Sequence, residues 1–178
     1  MTRDQLEDYL TNNLGKHTTL MLADSAVVSP NIIATLFDII RKGGYPLNWR
    51  AAWVIDHINQ LKLGILQPYA TDIEELFFHP TCNGVERHMI KILVEFPELY
   101  HENGLIIDRC FQLLKNSSTS IATRAHAMEL LYQTTLEYPD LWTEFKLILD
   151  EIIINGSKGE KGKAQNIIKL IKKRNPQI

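Results

Sequence analysis

Apolar residues recur along this chain at intervals of three and four rather than two, and Gly, Pro and Asn interrupt them at short distances. That period places apolar side chains on one face of an α-helix. No stretch alternates long enough to predict a strand, and no Asn-Gly or Asp-Gly turn joins two alternating stretches. Leu6, Tyr9, Leu10 and Leu14 predict a first helix capped by Thr2 or Asp4 and ending at Gly15. A second runs from about Thr18 to Val28. A third takes Pro30 near its start, presents Ile33, Leu36, Phe37 and Ile40, and stops at Gly43-Gly44. Asn48 is placed to cap a helix with Trp49, Ala52, Trp53, Ile55 and Ile58, and Ile73, Leu76 and Phe77 mark the next. His79-Pro80 and Asn83-Gly84 break the chain before Val85, Met89, Ile90, Leu93 and Val94, a helix that Phe96-Pro97-Glu98-Leu99 ends. Further helices follow on Ile106 to Leu114, Ala127 to Thr134 and Phe145 to Ile153. A basic helix with Ala164, Ile167, Ile168 and Ile171 closes the order, about nine helices joined in pairs by short turns.

A longer period lies over the short one. Arg50, Arg87 and Arg124 are spaced by 37 residues, and the next step of 37 lands on Lys161; each opens an amphipathic segment. A fixed period of this length signals stacked helical repeats, in which each pair buries its apolar face only against its neighbours. The run Thr123-Arg124-Ala125-His126-Ala127-Met128-Glu129-Leu130-Leu131 resembles the start of the second helix of a HEAT-like (armadillo-type) repeat, where a small residue follows the basic one by three positions. Lys161 and Ala164 keep that pattern. Trp53 and Ile90 depart from it, and the breaks at Pro97 and Pro139 are 42 rather than 37 residues apart. The resemblance implies an all-α chain, a right-handed α-α superhelix built as a short solenoid of antiparallel helix pairs. It further implies one domain over 1–178, with a cap and half-repeat in 1–45 and repeats in 46–174. In that family the repeated cation contacts carboxylates or carbonyls of an adjacent turn, so Arg50, Arg87, Arg124 and Lys161 are expected to form a structural ladder.

Composition narrows the class. With 45% hydrophobic and 22% charged residues the chain can bury a continuous core. A net charge of −2 gives no global attraction to nucleic acid, although Lys158 to Arg174 sets seven cations against the single acid Glu160. Two cysteines, Cys82 and Cys110, are too few for a disulfide-stapled scaffold. The first residues are too polar for a signal peptide, and no apolar run is long enough for a membrane span. A cytoplasmic protein with no membrane association is the expectation.

Candidate chemistry is thin. His79 and Cys82 form one pair of soft ligands where zinc needs about four, so no metal or other cofactor is expected. Cys110 sits among apolar neighbours as a buried thiol does. Asp56-His57 and Glu74-Glu75 are adjacent helix positions whose side chains diverge, which suits neither pair to shared acid–base work. Gly156, Gly159 and Gly162 follow no strand and so make no nucleotide loop. Trp49, Arg50 and Trp53 are the densest aromatic and cationic cluster, with core packing of at least one tryptophan expected.

The reading that follows is a non-catalytic helical-repeat scaffold or adaptor that offers a curved surface to a protein or peptide partner. If the second helix of each pair lines the inner side, as in the HEAT family, His88, Lys91, Glu95, Met128, Glu129 and Tyr132 face the partner. Their mixed charge suits protein better than a polyanion. The alternative is a DNA-binding protein similar to the alkylated-base glycosylases built from HEAT-like repeats. Those need a basic channel with aromatics and a carboxylate; the net charge disfavours it, while Trp49, Trp53 and the arginines favour it.

Overall fold

A computed structural model describes residues 1–13, 15–62 and 64–174 of the chain. Leu14, expected on the first helix, lies outside the described residues. Among those described, regular structure is helical throughout, with eleven α-helices and two short 3₁₀ turns. The backbone clusters into two compact units, Met1–Ile92 and Leu93–Ile178.

The first unit holds α1 (Arg3–Asn12), α2 (Lys16–Val28), α3 (Pro30–Lys42), α4 (Leu47–Leu61), α5 (Ala70–Phe78) and most of α6 (Asn83–Leu93). Thr2 caps α1, its hydroxyl accepting from Gln5 N while the Gln5 side chain accepts from Thr2 N, a reciprocal capping box. Pro30 stands at the first turn of α3, where its missing N–H costs nothing. α4 packs against α1, α2 and α3. Ala51, Ala52, Val54, Ile55 and Ile58 of α4 and Ile33, Leu36, Phe37 and Ile40 of α3 are all buried. Burying each of the larger side chains, valine and upward, contributes about 1.5–3 kcal/mol, and that term holds the helices together.

Asn48 is not the cap its type suggests. It lies inside α4, buried, with Nδ2 donating to Thr81 Oγ1 at 3.2 Å; the Thr81 hydroxyl donates in turn to Ile40 O. The amide thus ties the loop before α6 to α3 and α4. α6 also opens earlier than its glycine suggests, at Asn83. A Cβ on Gly84 would lie 2.7 Å from Trp49 Cβ. The first turn of α6 approaches α4 more closely than any side chain permits, so Gly84 serves contact and not a break.

The second unit holds α7 (Pro97–Tyr100), α8 (Gly104–Lys115), α9 (Ile121–Glu137), α10 (Trp142–Asn155) and α11 (Lys158–Arg174). Pro97, read from sequence as a terminator, opens α7, and Pro139 opens a 3₁₀ turn ahead of α10, both in the position proline tolerates. Ser120 caps α9 through Thr123 N. α9 packs against α8 and α11, and α10 against α8 and α11. Phe111 and Trp142 meet Phe145 edge-to-face inside this core, with ring centroids 6.4 and 6.2 Å apart. Trp142 is thus a core tryptophan.

Candidate functional site

The four periodic cations sit at equivalent places, three or four residues into α4, α6, α9 and α11. Their partners differ. Arg50 Nη1 donates to the carbonyls of Leu10 at 2.8 Å and Thr11 at 3.2 Å, and Lys161 Nζ donates to Ile154 O at 2.9 Å. Both satisfy carbonyls that the last turn of a helix, α1 or α10, leaves without an intrahelical donor. Arg124 Nη1 lies 2.7 Å from Glu160 Oε1, although the alignment falls short of a hydrogen bond. Arg87 Nη2 lies 3.0 Å from His88 Nε2.

The residues expected to face a partner are not one surface. His88 and Met128 are interior, at 3% and 0% exposure, which corrects their placement. The reason is the width of the buried arc. α9 buries Thr123, Ala127, Met128, Leu130, Leu131, Thr134 and Thr135, far more of its circumference than the stripe read from sequence. Lys91 and Glu129 are held in ion pairs with Asp56 and Lys163, at 2.8 and 2.7 Å. Glu95 is exposed in the turn after α6, and Tyr132 is half-buried on α9.

His88 and Lys91 belong to a buried polar network centred on Asp56 of α4. Asp56 Oδ2 receives His88 Nδ1 at 3.1 Å and Lys91 Nζ at 2.8 Å, while Oδ1 accepts from Gln60 Nε2 at 3.0 Å. A carboxylate only accepts and a guanidinium only donates, so His88 is neutral with its proton on Nδ1 and its lone pair on Nε2 toward Arg87. Burial alone would raise the Asp56 pKa, but the hydrogen bonds from His88 and Lys91 outweigh it and hold the carboxyl below its ordinary value. Burial pushes His88 down, with Arg87 and Lys91 adding to it against the pull of Asp56.

An Asp–His pair is the skeleton of a proton shuttle, which needs the far imidazole nitrogen open to a substrate. Here Arg87 occupies that nitrogen and the ring is enclosed. The pair was missed in the sequence because its members lie 32 residues apart. A signal was nonetheless present in the 37-residue register. The places equivalent to Asp56 hold Leu93, Leu130 and Ile167, and those equivalent to His88 hold Ala51, Ala125 and Gly162. A charge and a ring in otherwise apolar or small columns mark a feature of one repeat.

The network has a pH consequence. His88 and Asp56 both have depressed folded pKa values, and so does Glu160. Below about 6.5 the unfolded chain binds protons at His88 and at His57, also lowered by burial, that the folded chain does not, so stability falls as pH drops through that value. The two carboxylates add stability that is complete above about 4.5 and lost as pH falls below it. Urea midpoints measured from pH 8 downward should hold steady to about 7, decline below about 6.5, and decline again below about 4.5. A midpoint unchanged between pH 7 and 5 would contradict the burial of neutral His88.

Trp49 and Trp53 stack on one face of α4 at 6.1 Å between centroids, with the Arg50 guanidinium carbon 5.8 Å from the Trp49 ring. Together with Leu10, Asn13 and Thr19 they line a cavity of about 230 Å³. No carboxylate is among the described lining residues. His57 packs its ring against Trp53 and is kept neutral by burial. Cys110 is fully buried and its thiol pKa is raised by burial, which makes it a packing residue rather than a nucleophile. Among the described residues no three His, Cys, Asp or Glu side chains converge as metal ligands would, and no helix is long and apolar enough to cross a membrane.

Neither the curated proteins nor the solved structures provide a match to this chain. A family model described as a HEAT repeat domain does match, over residues 6–171, which takes in most of the first helix, all four periodic cations and the Asp56 network. The chain therefore belongs to the HEAT repeat domain family.

Proposed function

We propose that this chain is a non-catalytic helical-repeat scaffold that binds a protein or peptide partner, and that the partner meets α9. The observation that carries this reading is the half-exposed face of α9. Ala122, Ala125, Glu129, Tyr132 and Leu136 follow one another at helical spacing, and all are neither buried nor fully exposed. Two alanines allow close approach, Leu136 adds apolar area, and Tyr132 supplies the rigid aromatic anchor that protein interfaces favour. The family supports the same reading, since stacked helix pairs commonly serve as scaffolds for other proteins. The polar groups that catalysis would recruit are engaged with one another around Asp56. The alternative, DNA-base recognition, draws on Trp49, Trp53 and Arg50, but a carboxylate to serve it is not among the cavity's described lining residues.

Tyr132 is the residue to test, because charge reversal at Lys91 or Glu129 would break internal ion pairs and confuse binding with stability. Tyr132→Ala should leave the far-ultraviolet circular dichroism unchanged. It should also lose a specific partner that the wild-type chain retains on an affinity column in native extract, by at least tenfold, the scale of an interface hot spot of about 2 kcal/mol. Retention of the same proteins by both chains would refute the α9 surface.

A further inference from the structure

The charge of this chain is segregated. Residues 158–174 of α11 carry a net +6, while the whole chain is −2, so the remainder carries −8. Two of the seven cations are committed internally, Lys161 to the Ile154 carbonyl and Lys163 to Glu129. Lys158, Lys169, Lys172, Lys173 and Arg174 are all exposed and form no ion pair among the described residues. The helix dipole explains a preference for cations in the last turn. It does not explain Lys158 at the first turn or Lys169 further in.

We propose that the outer face of α11 binds the phosphate backbone of a nucleic-acid duplex. The face is a strip along the helix: Lys158, then Gly162, then Gln165 and Asn166, then Lys169, then Lys172 and Lys173, all exposed. Its charged and amide groups can all donate, as phosphate oxygens require. From Lys158 to Lys173 the helix rises about 22 Å, enough for the lysines to reach phosphates on both sides of a groove about 12 Å wide. The first turns of the strip are bare. A Cβ on Gly159 or Gly162 would meet nothing within 4 Å, so packing inside the molecule does not ask for glycine there. Each costs helix stability relative to alanine, and Gly162 leaves the strip open between Lys158 and Gln165.

Two other occupants fit less well. Protein interfaces are depleted in lysine and built around aromatic or aliphatic anchors, whereas this strip has no aromatic, and Leu170 and half-buried Ile168 only flank it. A helix lying in a bilayer surface needs its apolar face outward; here Ala164, Ile167 and Ile171 are buried within the second unit. A uniform row of donors without an anchor matches a sequence-independent polyanion.

The test uses the full chain and a fluorescent DNA duplex of about 20 base pairs, with anisotropy read from about 25 to about 200 mM salt. Binding is expected at the low end, with log affinity falling against log salt at a slope of about −3 to −4. Replacing three lysines (Lys169→Gln, Lys172→Gln, Lys173→Gln) should flatten that slope by about 2 to 3 and weaken binding at least about tenfold, equally for unrelated duplex sequences. Asn166→Glu, in the middle of the strip, should weaken binding severalfold while leaving the thermal midpoint unchanged. The proposal is overturned if the duplex is not bound at the lowest salt, or if the triple variant binds as the wild type does. It is equally overturned if an acidic peptide or an anionic phospholipid vesicle of matched charge competes as well as the duplex.

Discussion

Asp56→Ala is expected to destabilise the chain by about 3 kcal/mol, the scale seen when one partner of a buried ion pair is removed. Three donors converge on this carboxylate: His88 Nδ1, Lys91 Nζ and Gln60 Nε2. Lys91 is 31% exposed and can turn to water, so the cost concentrates on His88, which is enclosed. The same reasoning gives Lys91→Met a smaller effect, about 1 kcal/mol, because it removes a half-exposed partner and leaves Asp56 two hydrogen bonds. The repeat itself suggests the rescue. In the copy that opens with Arg124 the equivalent positions carry Leu130 for Asp56, Ala125 for His88 and Met128 for Lys91. The triple variant Asp56→Leu, His88→Ala, Lys91→Met replaces the whole network by residues the fold already uses there. It should recover to within about 1 kcal/mol of the wild type, since buried ionic networks exchanged entire for apolar groups lose little stability. Urea denaturation of the four proteins decides the matter. A triple variant as weak as Asp56→Ala would mean that shape, not unpaired charge, sets the cost.

The same network shows where sequence reading reached and where it stopped. The helix faces were legible because period alone reports them: Ile33, Leu36, Phe37 and Ile40 are buried as their spacing implies. The repeat was legible because four cations kept one register, and the family match spans that register. Local punctuation was less reliable. Residue type alone makes Pro97, Asn83 and Asn48 breaks or a cap, yet proline is tolerated in the first turn of a helix, and here both asparagines stand in first turns too. Burial around each helix was the largest error. His88 and Met128 fall between the residues of the apolar stripe, and a stacked helix is covered from several sides at once. A single helix in sequence shows one buried face and cannot display the faces that its neighbours will cover. The Asp56–His88 pair needed a comparison between copies, because distance in the chain hides contact in space.

Glu160→Ala should be the second most damaging single change, at about 2–3 kcal/mol, because this residue performs two tasks at once. It closes the N-terminus of α11: its Oε2 accepts from Ser157 N at 2.8 Å and from the Ser157 hydroxyl at 2.6 Å, and Ser157 Oγ accepts back from Glu160 N. Its other oxygen sits against Arg124 of α9, with 3% of the Glu160 side chain exposed. Burial would raise its pKa, but the Ser157 bonds and then Arg124 hold it down, so the carboxylate is charged when it caps the helix. Loss of the cap alone costs about 1 kcal/mol, and Ser157→Ala should show that part. The remainder is the burial of Arg124 without its counter-charge. Arg124→Ala should therefore cost less in a Glu160→Ala background than in the wild type, by about 1 kcal/mol or more in a double-mutant cycle. Strict additivity would show that the ion pair contributes nothing. In that case the 37-residue row of cations would matter at this position only through the packing of the arginine stem.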